Sequence, residues 1–177
     1  MSLIILFGLP GTGKTHVGKM LKKYFNYYFY DGDNNLTPEM KEAIKIQKVF
    51  TDGMREKYFK KLINKIQKLV NKHQKIVIAQ TFIKEKYRMN LLKKIPETKF
   101  ILIETKKVIR EQRLNERVDY PLDLEYARKM EKNFEKPDID HKIIINNNYG
   151  EEDIIKQINK LSFPPPAKLG DRLRRES

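Results

Sequence analysis

The apolar run Leu3-Ile4-Ile5-Leu6-Phe7 leads directly into Gly8-Leu9-Pro10-Gly11-Thr12-Gly13-Lys14-Thr15, a complete G-x-x-x-x-G-K-[ST] phosphate-binding loop of the Walker A type. Few architectures accept such a segment. It demands a buried strand, a tight glycine-rich turn and the first turn of a helix in immediate succession, and Val17, Met20, Leu21 and Tyr24 then continue at helical spacing.

The chemistry follows from the residue types. Gly8 lets the chain leave the strand sharply, Gly11 and Gly13 tolerate positive φ, and Pro10 stiffens the loop. Backbone N–H groups from Gly8 through Thr15, Thr12 included, can then converge on a β-phosphate as a concave nest. Lys14 is expected to reach the β- and γ-phosphates and Thr15 to offer its hydroxyl to Mg²⁺, with the positive end of the helix dipole aimed at the same anions. ATP and Mg²⁺ are the implied ligands.

At 177 residues the chain can bury a central sheet between helices as one domain, without disulfides or a structural metal. It has no cysteine, no leader-like basic-then-apolar start and no apolar run long enough for a bilayer, so a soluble, reducing, cytoplasmic setting without a membrane partner is expected. The net charge of +14 raises nucleic acid as a partner. Distribution weakens that reading, because Lys57, Lys60, Lys61, Lys65, Lys68 and Lys72 alternate with apolar residues as a solvated helix face does. A polynucleotide stays open as the lesser alternative. Oligomeric state is left between monomer and homodimer.

Apolar runs recur at Leu3–Phe7, Tyr27–Tyr30, Ile76–Ala79, Phe100–Ile103 and Ile143–Ile145, separated by helical patterns. The expected fold is α/β: a three-layer P-loop NTPase arrangement with a five-stranded parallel sheet flanked by helices, ligands at the carboxyl edge, and a helical lid over about 113–135. Thr37 and Thr51 or Asp52 are expected helix N-caps, Pro38 sits in a first turn, and a break is expected near Asp119-Tyr120-Pro121. Residues 1–162 form the expected domain. Past Phe163-Pro164-Pro165-Pro166 the composition changes, and 163–177 reads as a flexible or appended tail.

A second constellation follows the second strand, at Tyr30-Asp31-Gly32-Asp33. In extended geometry the two carboxylates would share a face, and two acids can divide the tasks of phosphoryl transfer: holding the metal shell and accepting the acceptor's proton. Without the phosphate loop, a plain D-G-D turn would be the better reading.

With these residues in view the chain resembles the gluconate kinase and shikimate kinase group of small P-loop kinases, which share the nucleoside monophosphate kinase-like fold. The resemblance runs over about residues 2 to 161, through Asp31-Gly32-Asp33, the Pro38 helix, Thr51-Asp52-Gly53-Met54-Arg55, Ile76 to Thr81, and Arg113-Leu114-Asn115-Glu116-Arg117. It implies that Thr15 and Asp31 hold Mg²⁺ and that Lys14, Asp33 and Arg117 are catalytic, with Asp33 as base on the acceptor hydroxyl. It also implies that Arg113 and Arg117 close over the phosphates, and that Arg55, Gln80 and Thr81 join Asp33 in binding the acceptor. The chain departs from the group where gluconate kinases carry His-Pro (here Thr37-Pro38), where their lid carries His-Phe (here Val118 to Pro121), and where shikimate kinases carry Gly-Gly (here Gln80-Thr81).

The leading expectation is therefore an ATP-dependent kinase for a hydroxyl of a sugar acid-like small molecule, with gluconate first. Kinases for shikimate, a nucleoside, a nucleotide or a polynucleotide 5'-hydroxyl are the enzymatic alternatives. A non-catalytic nucleotide- or nucleic-acid-binding module is the alternative from another class. No Walker B aspartate follows the third strand at Ala79-Gln80, and Asn146-Asn147-Asn148 is a candidate for base contacts. The scattered His16, His73 and His141 make no ligand set, so zinc is not expected.

Overall fold

The computed structural model describes residues 1–117 and 123–161; the break expected at 119–121 and the 163–177 tail lie outside the described residues. Five parallel strands, β1 (Ser2–Phe7), β2 (Tyr28–Asp31), β3 (Lys75–Ala79), β4 (Lys99–Glu104) and β5 (His141–Ile145), form one sheet in the order β2-β3-β1-β4-β5. The described helices are α1 (Lys14–Phe25), α2 (Pro38–Lys45), α3 (Asp52–Val70), α4 (Glu85–Lys94), α5 (Lys107–Asn115), α6 (Leu124–Asn133) and α7 (Glu151–Lys160).

The central strand explains the layering. Leu3 through Phe7 are fully buried, and because side chains alternate, Leu3, Ile5 and Phe7 join one core while Ile4 and Leu6 join the other. The first core is closed by α3 through Tyr58, Phe59, Leu62 and Ile66; the second is closed by α1 and α7 through Val17, Leu21, Ile154 and Ile158. A run of five apolar residues is thus the signature of a strand covered on both faces. Truncating any of them to alanine removes about 2–5 kcal/mol. The strand order reverses at β1, which opens a crevice at the carboxyl ends of the strands, where a ligand site is expected.

The helix starts obey local chemistry. Thr37 and Thr51 each accept a hydrogen bond from the backbone N–H three residues on, Met40 and Met54, at 3.2 Å. The aromatic block is core and strand: Phe25 and Tyr27 are buried, while Tyr28 is exposed and stacks on His73. At the outer edge, Gln157 accepts from Ile145 N and donates to Ile145 O, both at 2.8 Å, so one side chain occupies the peptide group that a further strand would pair with. No described helix is long and apolar enough to cross a membrane.

Candidate active site

The loop leaves β1 with Gly8, Gly11 and Gly13 at φ 139°, 81° and 86°. All three positions admit only glycine: a Cβ on Gly8 would lie 2.6 Å from the Ile103 carbonyl oxygen, one on Gly11 2.8 Å from the Arg110 carbonyl oxygen, and one on Gly13 would enter the Asn146 side-chain amide. The loop is also held from behind. The Thr12 carbonyl accepts from Asn146 Nδ2 at 2.9 Å, Thr105 Oγ1 at 3.1 Å and Arg113 Nη1 at 3.4 Å.

Lys14 folds back in this state, its ammonium donating to the Gly8 and Leu9 carbonyls at 2.9 and 2.8 Å. Burial pulls its pKa down to about 8, against the opposing pull of Asp33 and Asp31. Its hydrogen bonds thus go to loop carbonyls while its charge also feels Asp33 and Asp31. Thr15 Oγ1 donates to Asp31 Oδ2 at 3.1 Å, which joins the end of β2 to the first turn of α1.

Asp31 and Asp33 are brought together differently from the extended pair expected. Asp31 ends β2, but Gly32–Asn35 turns into a 3-10 helix in which Asp31 Oδ1 accepts from Asp33 N at 3.0 Å. The side chain caps the turn, and the turn, not strand alternation, aims Asp33. Both carboxylates still line one cavity of about 290 Å³ with Lys14, Thr15, Arg55, Gln80, Thr81, Arg113 and Arg117. Burial, then the neighbouring Asp31 charge, pushes the Asp33 carboxyl above the usual range; Lys14 and a 3.1 Å hydrogen bond from Gln80 Nε2 pull partway back.

Around Asp33 the polar groups interlock. Gln80 also donates to the Tyr58 hydroxyl, which donates to the Gly32 carbonyl at 2.9 Å, and Thr81 N donates to Gln80 Oε1. Burial and the Asp33 charge drive the Tyr58 hydroxyl far up, so it stays a neutral donor. In the sequence Tyr58 falls at apolar spacing with Phe59, Leu62 and Ile66 of α3, so its hydroxyl carries no separate signal. Arg55 is buried, with Nη1 3.2 Å from Asp52 Oδ1, and lines the cavity beside Tyr126.

The three arginines after β4 do not share one role. Arg110 is buried and pairs with Glu131 of α6 at 2.7 Å, tying the two helices, while Glu111 pairs with Arg128 and Glu116 with Gln112. Arg113 Nη2 reaches Asn146 O at 3.1 Å and Asn148 Oδ1, and its Nη1 reaches Gly11 O at 3.3 Å. Asn146 is buried against the loop, so of the asparagine run expected to meet a base, its first member instead supports the Thr12 carbonyl. Arg117 is exposed on the cavity rim, past the end of α5. Among the described residues no cluster of three or more His, Cys, Asp or Glu is arranged to hold a metal.

A doubly covered parallel sheet, a phosphate loop at its switch point and a second walled compartment beyond the loop define a P-loop kinase. The AAA domain family matches residues 4–152, and the chain belongs to it as a small P-loop kinase resembling the gluconate kinase and shikimate kinase group. Shikimate kinase of Clostridium botulinum (strain ATCC 19397 / Type A) is 33% identical over 163 residues, 85% of this chain and 91% of that protein. A probable gluconokinase of Xenopus tropicalis is 31% identical over 90 residues, 51% of this chain; the match spans 47% of that relative, about half its length. Among solved structures, a sugar kinase from Janibacter sp. HTCC2649 superposes with TM-score 0.80 at 17% identity, covering 93% of this chain and 96% of that one.

Proposed function

We propose that this chain transfers the γ-phosphate of ATP to a hydroxyl of a small acceptor, in a reducing, cytoplasmic setting. The observation that carries the reading is the placement of Asp33: a carboxylate of raised proton affinity, fixed by Gln80, facing the same cavity as Lys14 and Arg55. In the transfer, the acceptor oxygen forms its bond to the γ-phosphorus as the bond to the β,γ-bridging oxygen breaks. The hydroxyl proton passes to Asp33, and ADP leaves.

Lys14 supplies charge to the β- and γ-phosphates once they displace the Gly8 and Leu9 carbonyls from its ammonium, and Arg117 at the rim adds charge to the transferring group. Arg55 has guanidinium N–H groups beyond the one given to Asp52 with which to bind an anionic group of the acceptor. The donor chemistry fits Mg²⁺: Thr15 and Asp31 bring a hydroxyl and a carboxylate oxygen within 3.1 Å, hard ligands of the kind this ion takes alongside phosphate oxygens and water. Bound there, it would supply charge neutralisation for the transferring phosphoryl group.

The family resemblance puts a sugar acid first among acceptors, with gluconate at its head. ADP release with Mg-ATP is to be measured across gluconate, other sugar acids, shikimate, nucleosides, nucleotides and 5'-hydroxyl oligonucleotides, with Lys14→Ala as control. Acceptor-dependent release that Lys14→Ala abolishes supports the reading. A rate equal to the acceptor-free rate with every compound overturns it.

A further inference from the structure

The compartment beyond Asp33 has few unspent polar groups. Tyr58 and Gln80 line it, but the Tyr58 hydroxyl hydrogen goes to Gly32 and the Gln80 amide goes to Asp33 and Tyr58. Asp33, the remaining N–H groups of Arg55 and the Thr81 hydroxyl are left for an acceptor.

The rest of the wall is apolar. Leu36, Met40 and Ile44 come from the α2 side, Phe50 from the segment before α3, Phe59 from within α3, and Phe82, Tyr126 and Met130 complete the apolar lining. Phe50 is half-buried and meets Tyr126 edge to face at 6.4 Å between ring centres, while Phe59 and Phe82 are tilted together at 5.0 Å. Aromatic and thioether surfaces of this kind bind flat rings well. An open-chain polyol, with a hydroxyl on nearly every carbon, would leave most of its groups unpaired here, at about a tenfold loss of affinity for each. A phosphate monoester as acceptor fares no better: of the cations on this cavity, Lys14 and Arg117 serve the donor phosphates, Arg113 is held by the loop carbonyls, and Arg55 already pairs with Asp52.

Resting on the kinase reading above and narrowing its acceptor, we infer that the phosphorylated alcohol is carried by a flat, weakly hydrated ring, a hydroxyalkyl-substituted heteroaromatic, rather than by an open-chain sugar acid or a nucleotide. The ring lies against Phe50, Met40 and Tyr126, its hydroxyl meets Asp33, and Arg55 accepts at most one anionic or carbonyl group.

The test measures kcat/KM with Mg-ATP for thymidine and pyridoxine, two ring alcohols from different sources, beside gluconate, shikimate and a nucleoside monophosphate. At least one ring alcohol should exceed gluconate and shikimate by about tenfold or more, and Phe50→Ala should lower that value about tenfold while leaving Mg-ADP binding unchanged. A preference between thymidine and pyridoxine identifies the kind of ring. A preference for gluconate, shikimate or the monophosphate, or indifference to Phe50→Ala, overturns the inference and leaves the kinase reading standing. No acceptor-dependent ADP release with any of the five overturns both, a result distinct from the first.

Discussion

Gln80 Nε2 donates to Asp33 Oδ1 at 3.1 Å, so the residue that follows the third strand bears on both the direction and the proton affinity of the carboxylate in the second-strand turn. The bond favours the ionised form of Asp33, opposing burial and Asp31, which favour the neutral form. Replacing Gln80 by leucine removes that donor. The acid limb of the pH–kcat/KM profile is expected to move to higher pH, with the loss at the acid end about 3–10-fold greater than at pH 8. A uniform loss at every pH would mean that Gln80 only shapes the cavity.

Asp33 carries a cost for the fold that its removal should expose. Its carboxyl is raised above 3.8 in the folded chain, so stability is fully present below about pH 4 and declines as pH rises through the folded value. Asp33→Asn cannot ionise and can still accept from Gln80. Turnover is expected to fall about 10²–10⁴-fold. Thermal melts should show the variant level with the parent near pH 4 and about 2–4 °C higher at pH 7. A lower melting temperature at pH 7 contradicts this account of the site.

The strands and the phosphate loop were legible because their signals are local. Leu3–Phe7 has no polar interruption, and the eight residues after it have fixed spacing with one known use. The Asp31-Gly32-Asp33 turn was half legible: the residue types suggested the chemistry, but the 3-10 geometry that aims Asp33 depends on Asp31 capping its own turn. The roles of Tyr58, Asn146 and Arg110 were not legible. Their roles rest on partners far along the chain, Gly32, Thr12 and Glu131, and pairings over 26, 134 and 21 positions leave no periodic trace.

Lys14 makes nucleotide binding a proton-uptake reaction at alkaline pH. Its ammonium titrates near pH 8 while folded onto the loop carbonyls, and bound phosphates would restore its charge. Affinity for ADP should therefore fall about tenfold per pH unit above 8 and be nearly flat below 7. Calorimetry in buffers of different ionisation heat should report uptake approaching one proton near pH 9.5 and little at pH 6.5. Equal uptake at both values would assign the proton elsewhere.

Asp31 separates metal-dependent turnover from nucleotide binding. Its Oδ2 accepts from Thr15, and its Oδ1 caps the turn that carries Asp33. Asp31→Ala should lower Mg²⁺-dependent turnover by about 10²-fold or more while changing ADP affinity in EDTA less than about threefold. Asp31→Asn keeps the turn cap and loses the charge. If the two variants are equally impaired, charge is the reason; if Asp31→Asn is near normal, the cap is.

Arg88 is the least exposed charge in the described chain, and it holds the wall of the acceptor compartment from outside. Nε donates to Phe82 O at 3.0 Å, Nη2 donates to Ile83 O at 3.3 Å and Glu135 O at 2.6 Å, and Nη1 pairs with Glu85. The Phe7 and Phe134 rings lie 5.3 Å from the guanidinium carbon. Phe82 needs such support, because its φ of 44° is a conformation that costs a bulky side chain about 1–3 kcal/mol. Arg88→Leu keeps an apolar body but strands the Phe82, Ile83 and Glu135 carbonyls and the Glu85 charge, so urea unfolding should show a loss of about 3–5 kcal/mol. Phe82 and Ile83 line the acceptor half of the cavity while Arg88 does not line it at all. The milder Arg88→Lys, which keeps the charge and a single donor point, should therefore raise KM for the acceptor several-fold more than KM for ATP. An equal rise in both would place the slack in the phosphate loop instead of in the segment after β3.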